Sequence, residues 1–167
     1  MRSVAVSLRL AERKDAEALR SIYNLEVEES TVTFDLVART LEEQIVWIDE
    51  HQGAHPAIVA VDDAGEVVGF GALQPYRPRP GYTPTLEDSI YVRRERQREG
   101  IGKILLAELL KLAEAHGFHS VIARIVCGHT ASIELHRQCG YAEIGVEKEV
   151  GRKFNTWLDV VLMQRML

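Results

Sequence analysis

Cysteine is scarce in this chain. Two residues, Cys127 and Cys139, cannot build the bridged framework on which small secreted domains depend, and they read as packed, reduced thiols. Long apolar runs are also missing. None approaches the roughly 20 residues that a membrane-spanning helix needs. The first residues, Met1-Arg2-Ser3-Val4-Ala5-Val6, form no extended apolar core, and Arg9, Glu12 and Arg13 follow at once, so no secretory leader is expected and the expected location is the cytoplasm. Positive charge is not in excess. A formal net charge of -5 argues against a general nucleic-acid binder. No nearby cysteine or carboxylate completes a metal-ligand set with His116 and His119, so no metal is expected. Repeats and low-complexity stretches are absent. The 167 residues, 46% hydrophobic and 27% charged, fit one ordinary globular domain over 1–167.

What is present is an alternation of strand and helix signals. Val6 to Leu10 reads as a strand, and Asp15 to Asn24 as a helix with Ala16, Leu19, Ile22 and Tyr23 on one face. Residues 28–34 are ambiguous between loop and strand. Thr40-Leu41-Glu42-Glu43 is a capping box that opens a second helix, with Leu41, Ile45 and Ile48 in register. Ala57 to Val61 and Val67 to Leu73 form a hairpin around Asp62-Asp63-Ala64-Gly65. Pro75, Pro78, Pro80 and Pro84 make Gln74 to Pro84 a stiff loop. Leu86 to Val92 is a strand. A helix from about Ile101 to Ala115 buries Ile101, Ile104, Leu105, Leu109 and Leu112 and stops near Gly117. Ser120 to Val126 is a strand, and Thr130 caps a short helix that ends at Gly140 with Cys139 packed beside it. Strands at about Ala142 to Lys148 and Trp157 to Met163 finish the chain. The order βααββββαβαββ counts the ambiguous 28–34 segment as a strand. It predicts an α/β (α+β) architecture with one mixed sheet flanked by helices.

Between the strand ending at Val92 and the helix opening at Ile101 lies Gln97-Arg98-Glu99-Gly100-Ile101-Gly102. A glycine-containing loop at a helix start aims several backbone N–H groups one way, and the helix dipole adds about half a positive charge there. Such a loop suits a pyrophosphate. Gly100 and Gly102 keep side chains from holding it off, and Arg93, Arg94, Arg96 and Arg98 favour an anion. The six residues alone also fit an ordinary loop. They are no P-loop, because the Gly-Lys-Ser/Thr ending is absent, and no dinucleotide fingerprint, because Leu105 holds the third glycine's place.

Glu87 lies on the strand before this loop. Alternation places Glu87, Ser89 and Tyr91 on one face and Asp88, Ile90 and Val92 on the other. A carboxylate there is either a general base or a solvated edge glutamate, and Asp88 is its nearest rival.

Taken together these residues resemble the GNAT acetyltransferases, whose acetyl-CoA loop has the pattern Gln/Arg-x-x-Gly-x-Gly/Ala. Ser30-Thr31-Val32-Thr33-Phe34, Leu86 through Val92, Leu135-His136-Arg137-Gln138-Cys139-Gly140-Tyr141, Gly151-Arg152-Lys153-Phe154 and Trp157-Leu158-Asp159-Val160 are similar to the phosphinothricin N-acetyltransferase branch. The resemblance runs from about Val6 to Met166. It implies a mostly antiparallel mixed sheet, splayed between the strands at 86–92 and 120–126 to admit acetyl-CoA. The implied reaction is acetyl transfer to the amino group of a small amino-acid-like acceptor, of the phosphinothricin, methionine sulfone or sulfoximine type. The implied cofactor contacts are Ile90, Tyr91 and Val92, then Gln97, Arg98, Glu99, Gly100, Ile101, Gly102 and Lys103, with His129 and Ser132 at the last helix. Glu87 takes the place of the family's base. His136 stands where many members have tyrosine, as acid or as structural donor. Phe34, Arg77 and, less regularly, Arg79 match residues that meet the acceptor. The matching C-terminal hairpin around Lys153 to Trp157 implies a homodimer.

Three departures fall around the acceptor and cofactor ends. His129 replaces a frequent asparagine, Thr83-Pro84 replaces Arg-His, and Asn155-Thr156 replaces Gly-Arg. Two other readings remain open: acetylation of a peptide or polyamine, and a non-catalytic acyl-CoA sensor.

Overall fold

A computed structural model describes residues 5–167. Its frame is a seven-stranded sheet in the order β1-β2-β3-β4-β5-β7-β6. The strands are β1 (Val6–Leu10), β2 (Ala57–Asp62), β3 (Val67–Pro75), β4 (Thr85–Val92), β5 (Ser120–Val126), β6 (Ala142–Lys153) and β7 (Thr156–Met166). Every neighbouring pair is antiparallel except β4 and β5. The mixed, mostly antiparallel sheet is therefore as expected.

Helices cover both faces. α1 (Ala16–Glu29) and α2 (Leu41–Glu50) lie on one, packing Leu19, Ile22, Tyr23, Val27 and Ile48 onto Val59, Phe70 and Ala72. α3 (Ile101–Ala115) covers the other with Ile101, Leu105, Leu106, Leu109 and Leu110, against Leu86, Val121, Ala123 and Met163. α4 (Thr130–Gln138) closes the end of that face, with Ile133 and Leu135 packed on the same cluster. α3 sits close to the sheet at Gly71, where an added Cβ would fall 2.9 Å from Leu109 Cδ1. The capping box at Thr40 is formed: its hydroxyl accepts from the Glu43 N–H, and Glu43 accepts from the Thr40 N–H.

Several sequence expectations are corrected. Residues 28–34 hold the last turn of α1 and a loop, so the described residues hold seven strands and not eight. α1 runs five residues past Asn24, because Glu26 and Val27 are also buried. Ile104 is 41% exposed and does not join the core. Thr130 is the first helical residue and not the cap; His129 precedes it. Cys127 is exposed, while Cys139 is half-buried against the core.

β6 and β7 reach further than their apolar pattern suggested. Their two-residue turn is Phe154-Asn155, both at positive φ (49° and 58°), the geometry of a tight hairpin turn. Asparagine tolerates that conformation; phenylalanine there gives no turn signal in the sequence. A bulge at Lys148–Val150 is pinned by Asp159, which accepts from the Glu149 N–H at 2.7 Å and from Lys148 Nζ at 3.1 Å. No helix among the described residues is long and apolar enough to cross a membrane.

Candidate active site

β4 and β5 pair only at their beginnings: Thr85 with Ser120, Leu86 with Val121 and Glu87 with Ile122. Beyond that step Asp88 to Val92 pair with β3 alone, and Ala123 to Val126 with β7 alone. The sheet opens there into a wedge, leaving the inner backbone edges of Ile90, Tyr91 and Val92 without strand partners.

The N-terminus of α3 stands at the wide end of the wedge. Arg98 (φ 65°) and Gly100 (φ 86°) curl the backbone so that successive amides turn toward the helix start. Among the described residues none accepts a hydrogen bond from the N–H groups of Arg98, Glu99, Gly100, Ile101, Gly102 or Lys103. The first helical bond is from Ile104 N to Gly100 O. This is a cradle for an anion. The two glycines serve differently from the expectation that both clear space for phosphate. Gly100 has open space around its Cβ position and is needed for its left-handed backbone. Gly102 faces inward, and a Cβ there would lie 3.2 Å from Leu135 of α4.

The arginine cluster is also corrected. Arg93 Nε donates to the Val67 carbonyl. Arg94 pairs with Glu26 and Glu29, and Arg96 with Asp62 and Glu99. These guanidiniums brace the loop. Among the described residues only Arg98 of the four has no such tie. Gln97 reaches back to the Val92 carbonyl at 3.4 Å, and Lys103 is exposed.

Glu87 sits at the narrow end, where pairing stops. It lies between Gln74 of β3 and Ile122 of β5, and it is half-buried. Burial raises its carboxyl above the usual carboxylate range, against the pull of Arg124 and Arg77. Tyr91, on the same face, is stacked on Phe70 and edge-on to Tyr23.

Asp88 points to the opposite face and is 8% exposed. Its Oδ1 lies 3.0 Å from His136 Nε2, and its Oδ2 accepts from the Tyr141 hydroxyl at 2.5 Å. His136 Nδ1 donates to the Ser132 carbonyl at 2.7 Å. Both ring nitrogens are thus engaged, and the residue is 3% exposed. Burial alone would lower its pKa; the charge of Asp88 and its hydrogen bond outweigh this and raise it. The network ties α4 to β4. His129, before α4, lies 2.8 Å from Thr31 Oγ1, and burial lowers its pKa.

In the proline-rich loop before β4, Arg77 lies over the rings of Tyr76 and Tyr82 at 5.0 and 5.7 Å, within charge range of Glu87. Arg79 is exposed and is not among the charges acting on Glu87. Phe34 packs against Gly151 at the end of the β6–β7 hairpin. Lys153, buried beside it, donates to the Thr33 carbonyl at 2.8 Å. Sequence reasoning missed Arg124, Glu147 and the Asp88 network. Arg124 did carry a signal, as the one charged residue in the otherwise apolar run Ser120-Val121-Ile122-Ala123-Arg124-Ile125-Val126.

Residues 8–162 match the Acetyltransferase (GNAT) domain model. The chain is 36% identical to the L-methionine sulfoximine/L-methionine sulfone acetyltransferase of Pseudomonas aeruginosa, over 96% of this chain and 94% of that protein. It superposes on a GNAT superfamily phosphinothricin acetyltransferase from Sinorhizobium meliloti in complex with AcCoA, with a TM-score of 0.93 and 36% identity over 97% and 88% of the two chains. A ribosomal-protein-alanine N-acetyltransferase from Brucella melitensis gives a TM-score of 0.94 and 38% identity over 96% and 99%. A family match over nearly the whole chain, a sheet wedged open beside a cradle of free amides, and relatives of this identity lead to one assignment: the chain belongs to the GNAT acetyltransferases.

Proposed function

We propose that the protein transfers the acetyl group of acetyl-CoA directly to the amino group of a small amino-acid-like acceptor, with Glu87 as general base. The observation that carries this reading is the wedge between β4 and β5, with free amides at its wide end and a buried-side carboxylate at its narrow end. The residues fit the cofactor. The amides of Arg98 to Lys103 and the Arg98 guanidinium suit a pyrophosphate, and the unpaired edge from Ile90 to Val92 suits the amide groups of an extended arm. Glu99 contributes only its N–H, since Arg96 holds its carboxylate. His129, just before α4, and Ser132, in its first turn, are read as further cofactor contacts.

When bound, the cofactor supplies an acyl group already activated toward an amine. The protein's task is to present that amine neutral. An amine of pKa about 8–10 costs roughly 1.4–4 kcal/mol to deprotonate at pH 7. A carboxylate of raised pKa is a better proton acceptor than a solvated one, and Glu87 takes this proton directly or through water. His136 is a positioning residue: it is buried, and both its nitrogens are used within the protein.

The acceptor class rests on relatives named for phosphinothricin, methionine sulfoximine and methionine sulfone, and on the arginines around Glu87. Arg77 is read as holding the acceptor's acidic group, with Arg79 secondary and Phe34 lining the pocket. A peptide N-terminus is the second reading, motivated by the name of the Brucella relative. Arg77→Ala separates them. For an amino-acid acceptor it raises the acceptor KM about tenfold, since an exposed charged hydrogen bond contributes less than a buried one, and leaves the acetyl-CoA KM unchanged. Equal loss for both substrates would assign Arg77 to folding. Efficient acetylation of an alanyl peptide, insensitive to Arg77, would favour the second reading.

Two further parts belong to this reading. The activity is cytoplasmic, where acetyl-CoA and free thiols such as Cys127 coexist. The protein is a homodimer through its C-terminal hairpin. β6 is an edge strand, and Ile144, Val150, Phe154 and Trp157 are 46–58% exposed on the hairpin. Light scattering is expected to give twice the mass of one chain at micromolar concentration, and a monomer would remove the shared interface.

A further inference from the structure

We infer that Arg124 is the residue that selects acceptors carrying a second anionic group besides the α-carboxylate. The inference deepens the amino-acid acceptor reading and rests on it. β5 is covered on both sides, and six of its seven residues are buried; Arg124 is the exception. An arginine in such a strand needs an opening to reach. The register supplies one. Ile122 is the last residue paired with β4, opposite Glu87. Strand alternation puts Arg124 on the same face as Ile122 and Glu87, two residues beyond the last pair, on the strand that borders the wedge.

From there the guanidinium passes over Leu162 of β7 and donates one hydrogen bond to Glu147 of β6, at 2.8 Å. The side chains are 37% and 31% exposed. A half-exposed pair of this kind adds little to stability. It does hold the planar fork in place, and a guanidinium has five N–H donors. Among the described residues the others have no acceptor. Among the described residues, Arg124 and Arg77 are the cations whose charge pulls on Glu87, and they belong to different elements, β5 and the proline-rich loop. Neither forms an ion pair with Glu87.

One arginine suffices for an α-carboxylate. A second, pre-oriented arginine near the base, on a different element, suits a second anion, such as a phosphinate or a side-chain carboxylate. The same pair disfavours polyamines and lysine side chains by like-charge repulsion. Glu147 orients Arg124 but also competes with such an anion for it.

The test compares phosphinothricin, with a carboxylate and a phosphinate, against methionine sulfone, with a carboxylate and a neutral sulfone. CoA release is measured for the wild type, Arg124→Gln and Glu147→Gln. Arg124→Gln should lower the ratio of kcat/KM for phosphinothricin to that for methionine sulfone by roughly tenfold to a hundredfold, mainly through KM, as expected for a charged hydrogen bond. Glu147→Gln should raise the ratio, which keeps the inference testable if Arg124→Gln folds poorly. An unchanged ratio in both variants, with both acceptors acetylated, overturns the inference alone. A wild-type enzyme that acetylates neither, yet acetylates a peptide or polyamine, overturns the acceptor reading and this inference with it.

Discussion

Replacing Glu87 with glutamine is expected to lower turnover by about two to four orders of magnitude while leaving acetyl-CoA affinity intact. The substitution is nearly isosteric and lies on the opposite face from the Asp88 network, so it disturbs no hydrogen bond that holds α4. The pH profile adds a second signature. Burial raises the Glu87 carboxyl above its ordinary value, so the basic form is lost as pH falls through that raised value. Wild-type kcat/KM should therefore fall on the acid side earlier than an unperturbed glutamate would dictate, and the glutamine variant should lack that limb. For stability the sign is reversed: a raised carboxyl pKa favours the folded state as pH falls. Glu87→Gln is thus expected to be no less stable than the wild type at neutral pH. Steady-state rates across pH, with calorimetric acetyl-CoA binding, decide the matter. Near-full turnover at every pH would leave Glu87 only a positional role.

Asp88→Ala is expected to cost about 3–5 kcal/mol of stability, because it strands a buried histidine and a buried tyrosine hydroxyl together. At about 2–4 °C per kcal/mol for a chain of this size, the melting temperature should fall by roughly 6–20 °C. The pH dependence follows from His136. Its pKa is raised in the fold, so the stability from its pairing with Asp88 is fully present below the ordinary histidine value and is lost as pH rises through the raised one. Asp88→Asn should flatten that dependence. Thermal unfolding of the three proteins between mildly acidic and alkaline pH measures both effects. A melting temperature unchanged in Asp88→Ala would show that α4 is held by its apolar contacts alone.

Most of the sheet was legible because its strands carry apolar runs bounded by turn residues, as at Asp62-Asp63-Ala64-Gly65. Alternation correctly separated Glu87 from Asp88, since a strand covered on both faces keeps its two-residue period. What the sequence hid was pairing across space. Four arginines around 93–98 looked like an anion site, yet Arg94 and Arg96 are bound to carboxylates up to 68 residues away. The Asp88–His136–Tyr141 network joins residues 48 and 53 positions apart, which no local spacing reveals. Ile104 is apolar but lies on the side of α3 away from the buried stripe of Ile101, Leu105, Leu106, Leu109, Leu110 and Ala113. The Phe154-Asn155 turn falls within the hairpin that the resemblance implied at Lys153 to Trp157, but its own residues did not mark it, because a phenylalanine at positive φ is held by the hairpin and not by its own preference.

The central claim is direct acetyl transfer to the nitrogen of an amino-acid acceptor, and the product itself tests it. With acetyl-CoA and methionine sulfone, the account predicts one CoA released for each acetylated acceptor, with mass spectrometry placing the acetyl on the α-nitrogen. Release of CoA with acetyl on spermidine or a lysine peptide, and none on methionine sulfone or phosphinothricin, would contradict it.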